Sequence, residues 1–178
     1  MELLRFKGKA LIIGNQTYGS TAVLGIDPGS HRCGWAVVRG GPGAYDALDF
    51  GCLTPPAHCS PGERLGYIHT ELRTIIDKYQ PTELSIERLF FNRNITSCIL
   101  VAEARGVVML AAQQAGLAIH EYMPADIKKA LTGTGRATKA EVTLMVMAYL
   151  GLSEKPKPDD TADALAIAIT RLSERVFL

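Results

Sequence analysis

Long apolar runs, paired cysteines and a surplus of either charge are all missing from this chain, and each absence closes off a class of protein. Nothing in its 178 residues is apolar over the roughly 20 positions that a membrane-spanning helix needs. The opening segment, Met1 to Lys9, lacks the apolar core and small-residue cleavage site of a secretory signal. A cytoplasmic protein with no membrane contact is therefore expected. Cys33, Cys52, Cys59 and Cys98 form no CxxC pair, and Cys52, His58 and Cys59 lack a fourth partner for zinc. Reduced structural thiols are the expectation. Nineteen Lys and Arg face eighteen Asp and Glu, a formal net charge of +1. Any nucleic-acid binding must then rest on local clustering of basic groups.

What remains is an ordinary globular composition, 47% hydrophobic and 21% charged, of a length that suits one domain with a substantial core. Residues 1–20 show no sustained period and read as an extension, with flexibility as one reading of it; residues 21–178 read as a single domain. The apolar pattern predicts strands over Ala22 to Asp27, Gly34 to Arg39 and Tyr45 to Leu53, the first two joined as a hairpin. Ser60-Pro61-Gly62-Glu63 is a helix-start signature, followed by Leu65, Ile68, Leu72, Ile75 and Ile76 at helical spacing to about Tyr79. A short buried strand is expected over Glu83 to Glu87 and a well-buried helix over Ile95 to Ala115. A strand over Leu117 to Tyr122 and a short helix over Pro124 to Leu131 follow. Thr138 opens a capping box before a helix that stops at Gly151, and Asp160 to Leu172 completes the chain's helices. Early hairpins followed by helical crossovers predict an α/β domain with a mixed central sheet flanked by helices.

Four carboxylates stand at the ends or starts of these hydrophobic elements: Asp27, Glu87, Asp160 and Asp163. Singly, each serves equally as a turn former or cap; as a set they suggest one acidic centre assembled from distant parts of the chain. Asp160 and Asp163, three apart, share a helix face. Asp159 is expected to point elsewhere as the cap of that helix. Bare carboxylates gathered together repel and hold protons. Magnesium relieves that conflict through hard oxygen ligands, and two such ions suit hydrolysis of a phosphodiester, with manganese as the alternative metal. Glu83, Glu103 and Glu141 read as solvated or capping groups.

Gly25-Ile26-Asp27-Pro28-Gly29-Ser30, Ile86-Glu87-Arg88-Leu89-Phe90, Ala104-Arg105-Gly106 and Asp160-Thr161-Ala162-Asp163-Ala164-Leu165-Ala166 together resemble the RuvC family of bacterial Holliday junction resolvases. The likeness runs from about residue 22 to 172. It implies an RNase H-like fold, a homodimer, magnesium-dependent nicking of four-way junction DNA, and RuvA and RuvB as branch-migration partners. Asp27, Glu87, Asp160 and Asp163 match the family's four catalytic acidic positions, and residues 1–20 depart from its pattern.

Beside Glu87, Phe90-Phe91 cannot both face one core from a regular strand, so either an aromatic ring is offered to an unpaired base or both fill the space under a helix. The resemblance places Phe90 first and Phe91 second as the residue set against bases. Arg93 is a candidate phosphate contact, and Phe90, Arg93 and Asn94 would set base preference at the cut. Lys128, Lys129, Arg136 and Lys139 surround the Gly133-Thr134-Gly135 turn, where backbone N–H groups can approach phosphates; the resemblance favours Lys128 and Lys139. Arg88 and Arg105 are candidates to pair with acidic neighbours instead. The small residues Ala102, Ala104, Gly106, Ala111 and Ala112 suit either a helix at a dimer interface or one buried within a single domain. Two rival readings keep the fold or the ligand: an ATPase of the actin-like superfamily, for which the chain is short, and a junction-binding module without activity.

Overall fold

The structure is a computed structural model that describes residues 11–13, 16–18, 21–89 and 95–174. Ahead of the domain, Leu11–Ile13 (β1) and Gln16–Tyr18 (β2) pair antiparallel, a short ladder that the sequence pattern of the first 20 residues did not predict. The domain is built on a five-stranded sheet of Ala22–Asp27 (β3), Cys33–Gly41 (β4), Ala44–Leu53 (β5), Glu83–Glu87 (β6) and Ala118–Tyr122 (β7), in the order β5-β4-β3-β6-β7. β3, β4 and β5 are antiparallel neighbours, whereas β6 and β7 run parallel to β3, so the sheet is mixed as expected.

Helices cover both faces, and strand alternation decides which side chains meet them. Leu24 and Ile26 of β3, Cys33 and Val37 of β4, and Leu84 and Ile86 of β6 point to one face. There they pack against Pro61–Tyr79 (α1) and Ile95–Gln114 (α2). Val23, Ala36 and Val38 point to the other face, toward Asp159–Glu174 (α5), which lies across β3 and β4. Pro124–Thr132 (α3) and Lys139–Leu150 (α4) enclose α5 from outside. α5 therefore carries apolar residues nearly all round, with Ala164, Leu165, Ala168, Ile169 and Leu172 fully buried.

The predicted helix signals are present as hydrogen bonds. Ser60 with Glu63 and Thr138 with Glu141 form reciprocal capping boxes, and Gly133 and Gly151 close α3 and α4 in the left-handed conformation. α5 differs from its predicted start. It begins at Asp159, which sits in the first turn instead of capping it and pairs with Lys155 at 2.8 Å. α2 is also less buried than predicted. Ala104, Val108, Ala111 and Ala112 are in the core, but Ile99, Ala102, Glu103, Gly106 and Leu110 face outward. The small residues of α2 thus serve two purposes, since Ala104, Ala111 and Ala112 seat the helix on its own domain while Ala102 and Gly106 lie on the open side. Glu83, expected to be solvated, is mostly covered and accepts a 2.6 Å bond from Arg171. Among the described residues no helix is long and apolar enough to cross a membrane.

The seat of α5 on the sheet leaves no room for side chains at two glycines. A Cβ on Gly34 would lie 2.0 Å from the carbonyl oxygen of Asp160, and one on Gly25 would lie 2.3 Å from that of Ala164. Ser85 donates a buried 2.8 Å hydrogen bond to the Ile167 carbonyl, which sets α5 along the strands as well as against them. Gly34→Ala is expected to lower stability by about 1–3 kcal/mol, because α5 must lift at its first turn. Denaturant unfolding checks this. A variant as stable as the parent would show that α5 does not rest on the strand so closely.

Candidate active site

Alternation along β3 runs Val23, Gly25, Asp27 on the α5 side, and along β6 it runs Ser85 and Glu87 on the same side. The parallel register pairs Gly25 with Ser85 and Ile26 with Ile86. Asp27 and Glu87 are therefore the next residues on adjacent strands, on one face, at the ends where the chain leaves the sheet. Asp27 also pairs across β3–β4 with Gly34, the glycine over which the backbone of Asp160 rests. The N-terminal turns of α5 thus overhang the two strand ends. One turn of helix carries Asp160 and Asp163 there together.

Electrostatics report how closely the four acids are gathered. Burial, then the charges of Asp163, Glu87 and Asp160, push the Asp27 carboxyl up to about 7, with Lys139 opposing. Burial and the charge of Asp163 raise Glu87 as well, offset in part by Lys128 and Lys139. Lys139 donates a 2.7 Å hydrogen bond to Asp163. Burial would lower that lysine, but the bond and the charges of Asp163, Asp159 and Asp27 outweigh it and hold Lys139 above its ordinary range. Asp160 faces Arg32 at 3.9 Å.

Two clefts flank Glu87, which lines both. One, of about 220 Å³, is bounded by Asp27, Pro28, Arg88, Leu89, Val101 and Pro124. The other, of about 300 Å³, opens between α3, α4 and α5, with Lys128, Lys139 and Asp163 at its polar edge. Of the basic residues expected to meet DNA, Lys128 and Lys139 are thus at the acidic centre, and Arg136 is exposed on the α3–α4 connection. Phe90, Phe91, Arg93 and Asn94 lie outside the described residues. Arg105 does pair with an acid, Glu121, and its Nε donates to the Glu87 carbonyl at 3.3 Å, steadying the end of β6.

Two basic groups escaped the sequence reading of the site. Arg32 was visible only as a neighbour of the Asp27 turn, and its approach to Asp160 depends on how α5 seats. Lys155 stands four residues before Asp159, a spacing that could have signalled the pair.

The donor set suits a hard divalent cation, consisting of carboxylate oxygens whose mutual repulsion is only partly relieved by Lys139 and Lys128. As the side chains stand, no three Asp, Glu, His or Cys among the described residues close round a single ion. Asp163 is turned to Lys139, so it would have to exchange that ammonium for a metal. The cysteines of the chain are all unpaired.

A mixed sheet with three antiparallel strands leading into two parallel ones, helices on both faces and acids at the central strand ends is an RNase H-like α/β architecture. Within that class, the family model for crossover junction endodeoxyribonuclease RuvC matches residues 23–171, and the chain belongs to the RuvC family. The chain is 50% identical to the crossover junction endodeoxyribonuclease RuvC of Heliobacterium modesticaldum, over 83% of its own length and 91% of that protein. It superposes on the structure of Thermus thermophilus RuvC with a TM-score of 0.81 at 37% identity, covering 88% of this chain and 96% of the other. With the same RuvC in complex with a Holliday junction substrate the TM-score is 0.80 at 37% identity, over 84% and 92% of the two chains.

Proposed function

We propose that this chain resolves Holliday junctions by nicking two strands of like polarity, leaving 5′-phosphate and 3′-hydroxyl ends, in the cytoplasm. The observation that carries the reading is the meeting of Asp27, Glu87, Asp160 and Asp163 between two clefts edged by Lys128, Lys139 and Arg88. The same four residues would hold two magnesium ions, or manganese in their place. When bound, those ions supply activation of the attacking water and neutralisation of charge on the phosphate. The chain's own part is to hold the scissile phosphate. Lys128 and Lys139 draw the strand in from one side and Arg88 and Arg32 from the other, while burial of Asp27 keeps bulk water from screening the centre. Arg136 and Arg93 add phosphate contacts further along. Phe90, with Phe91 second, stacks on a base opened at the junction centre, and Asn94 contributes to base preference.

Cleavage of a synthetic four-way junction, beside a linear duplex of the same sequence and with or without magnesium, tests the reading. Paired nicks confined to the junction and dependent on the metal are expected. Equal cutting of the duplex would make the chain an unselective nuclease, and tight binding without nicks would favour the inactive junction-binding reading.

An open junction has two-fold symmetry, and two copies of the chain related by a dyad would present two acidic centres to it. The outward face of α2, with Ile99, Ala102, Gly106 and Leu110, is the surface assigned to that dimer, and RuvA and RuvB would be the partners in branch migration. Leu110 is 52% exposed, so replacing it should leave the fold intact. Leu110→Asp is expected to weaken self-association by at least about tenfold, since a charge at the core of an apolar interface is left unpaired. Sedimentation across micromolar concentrations checks it. Unchanged association would move the interface elsewhere.

A further inference from the structure

We propose that the cleft between α3, α4 and α5 is a subsite for a single unpaired nucleotide next to the scissile phosphate, holding its base against an aliphatic floor. The inference rests on the nuclease reading and extends it to what this side of the site recognises. Ile127 and Val142, each 7% exposed, offer the apolar walls with the Pro124 ring at the rim, and Ala166 and Ile167, 1% exposed, seal the floor from beneath, so the cleft is preformed. Its flanks are held apart by bonds within the fold. The Tyr149 hydroxyl donates to the Leu131 carbonyl at 3.0 Å, tying α4 to α3, and the Thr138–Glu141 capping box fixes where α4 begins.

The volume, about 300 Å³, is at the lower end of the range for small-ligand pockets, about 300–1,000 Å³. That admits one base with its sugar and excludes a base pair. Glu87 belongs to both clefts, so a phosphate placed over the acids has this cavity immediately on one side. Lys128 and Lys139 lie at its edge, where backbone phosphates pass, and Pro124 forms its rim. Among the described residues its lining is aliphatic and charged, so those residues hold the base by apolar contact and by width. A base in a continuous duplex is turned inward and stacked, out of reach; one freed at a junction centre can swing into the cleft. The subsite would therefore favour distorted DNA over a continuous duplex.

The test uses four-way junctions in which one nucleotide flanking the cut is replaced by an abasic analogue, each position in turn. They are cut by the full chain and by two variants that fill the cleft from opposite walls, Val142→Phe and Ile127→Phe, each first checked for its melting temperature. At one position the abasic junction should lower kcat/KM about tenfold for the parent chain, the loss of one base contact. The filled variants should lose about tenfold on the intact junction and nothing further at that position. Losses that multiply at every position, or filled variants that cut as fast as the parent, would overturn the subsite. Should Val142→Phe fail to fold, Ile127→Phe makes the same comparison. Failure of the parent chain to nick an intact junction would instead remove the nuclease reading, and the subsite with it.

Discussion

Asp27→Asn is expected to abolish nicking and, in the absence of metal, to make the protein more stable. The first effect follows from position. Asp27 is largely buried and feels the charges of the three other acids, so its loss removes the carboxylate around which the rest are arranged. A fall of at least about a thousandfold in junction cleavage is expected, because groups that act as a unit fail together. Junction binding should persist, since phosphate contacts from Lys128, Lys139 and their neighbours supply most of the affinity. The second effect follows from the repulsion itself. At pH 8 the folded protein holds Asp27 ionised against burial and three neighbouring acids, and asparagine removes that charge in nearly the same shape. A gain of about 2–4 kcal/mol is expected, or about 5–10 °C in melting temperature in the presence of a chelator. Glu87→Gln and Asp160→Asn should lose cleavage in the same way, whereas Asp159→Asn, exposed and paired with Lys155, should leave it nearly intact. Near-parental cutting by Asp27→Asn in saturating magnesium would remove Asp27 from the centre. A lowered melting temperature would show that the acids do not repel as described.

Relative to Asp27→Asn, the metal-free protein should lose stability as the pH rises from about 4 to about 7. The sign is opposite to the contribution of Asp49 and Asp159, whose carboxyls Tyr79 and Lys155 hold below their ordinary range. The Asp27 carboxyl is raised from 3.8 to about 7 on folding, so between those values the folded chain binds more protons than the unfolded one. Stability with that origin is fully present below the unfolded value and is lost as pH passes through the folded value. Three units correspond to about 4 kcal/mol at most. A divalent cation should reverse it. Bound metal compensates the ionised acids, so the rise in melting temperature on adding magnesium should be large at pH 8 and small at pH 5. Thermal melts over this range, with chelator or with magnesium, give the result without reference to catalysis. A metal-free stability difference between the parent and Asp27→Asn that does not fall from about pH 4 to about 7 would contradict the gathering of the four acids. A magnesium effect equal at both pH values would place the cation elsewhere.

Much of this molecule is a local matter, and so was legible in the chain. The Ser60 and Thr138 capping boxes, the Gly151 stop and the apolar run from Ala22 to Asp27 depend on residues a few positions apart. Backbone sterics and hydrogen-bond geometry act at that range. The spacing of Asp160 and Asp163 foretold that they share a helix face. The tertiary structure alone decided that this face meets Asp27 and Glu87. The register of β3 with β6 brings Glu87 beside Asp27, and Gly34 and Gly25 let α5 descend far enough to hang Asp160 and Asp163 above them. Neither the glycines' role nor the approach of Arg32 to Asp160 has a signature within its own segment, because each depends on an atom more than a hundred residues away. The same holds for α2, whose alanines look alike in sequence and are divided between core and surface only by the angle at which the helix settles on the sheet. It holds again for the cleft beside Glu87, since Ile127, Val142 and Ala166 read individually as core residues. A cleft remains there because three helices, packed against one another, stop short of closing the gap.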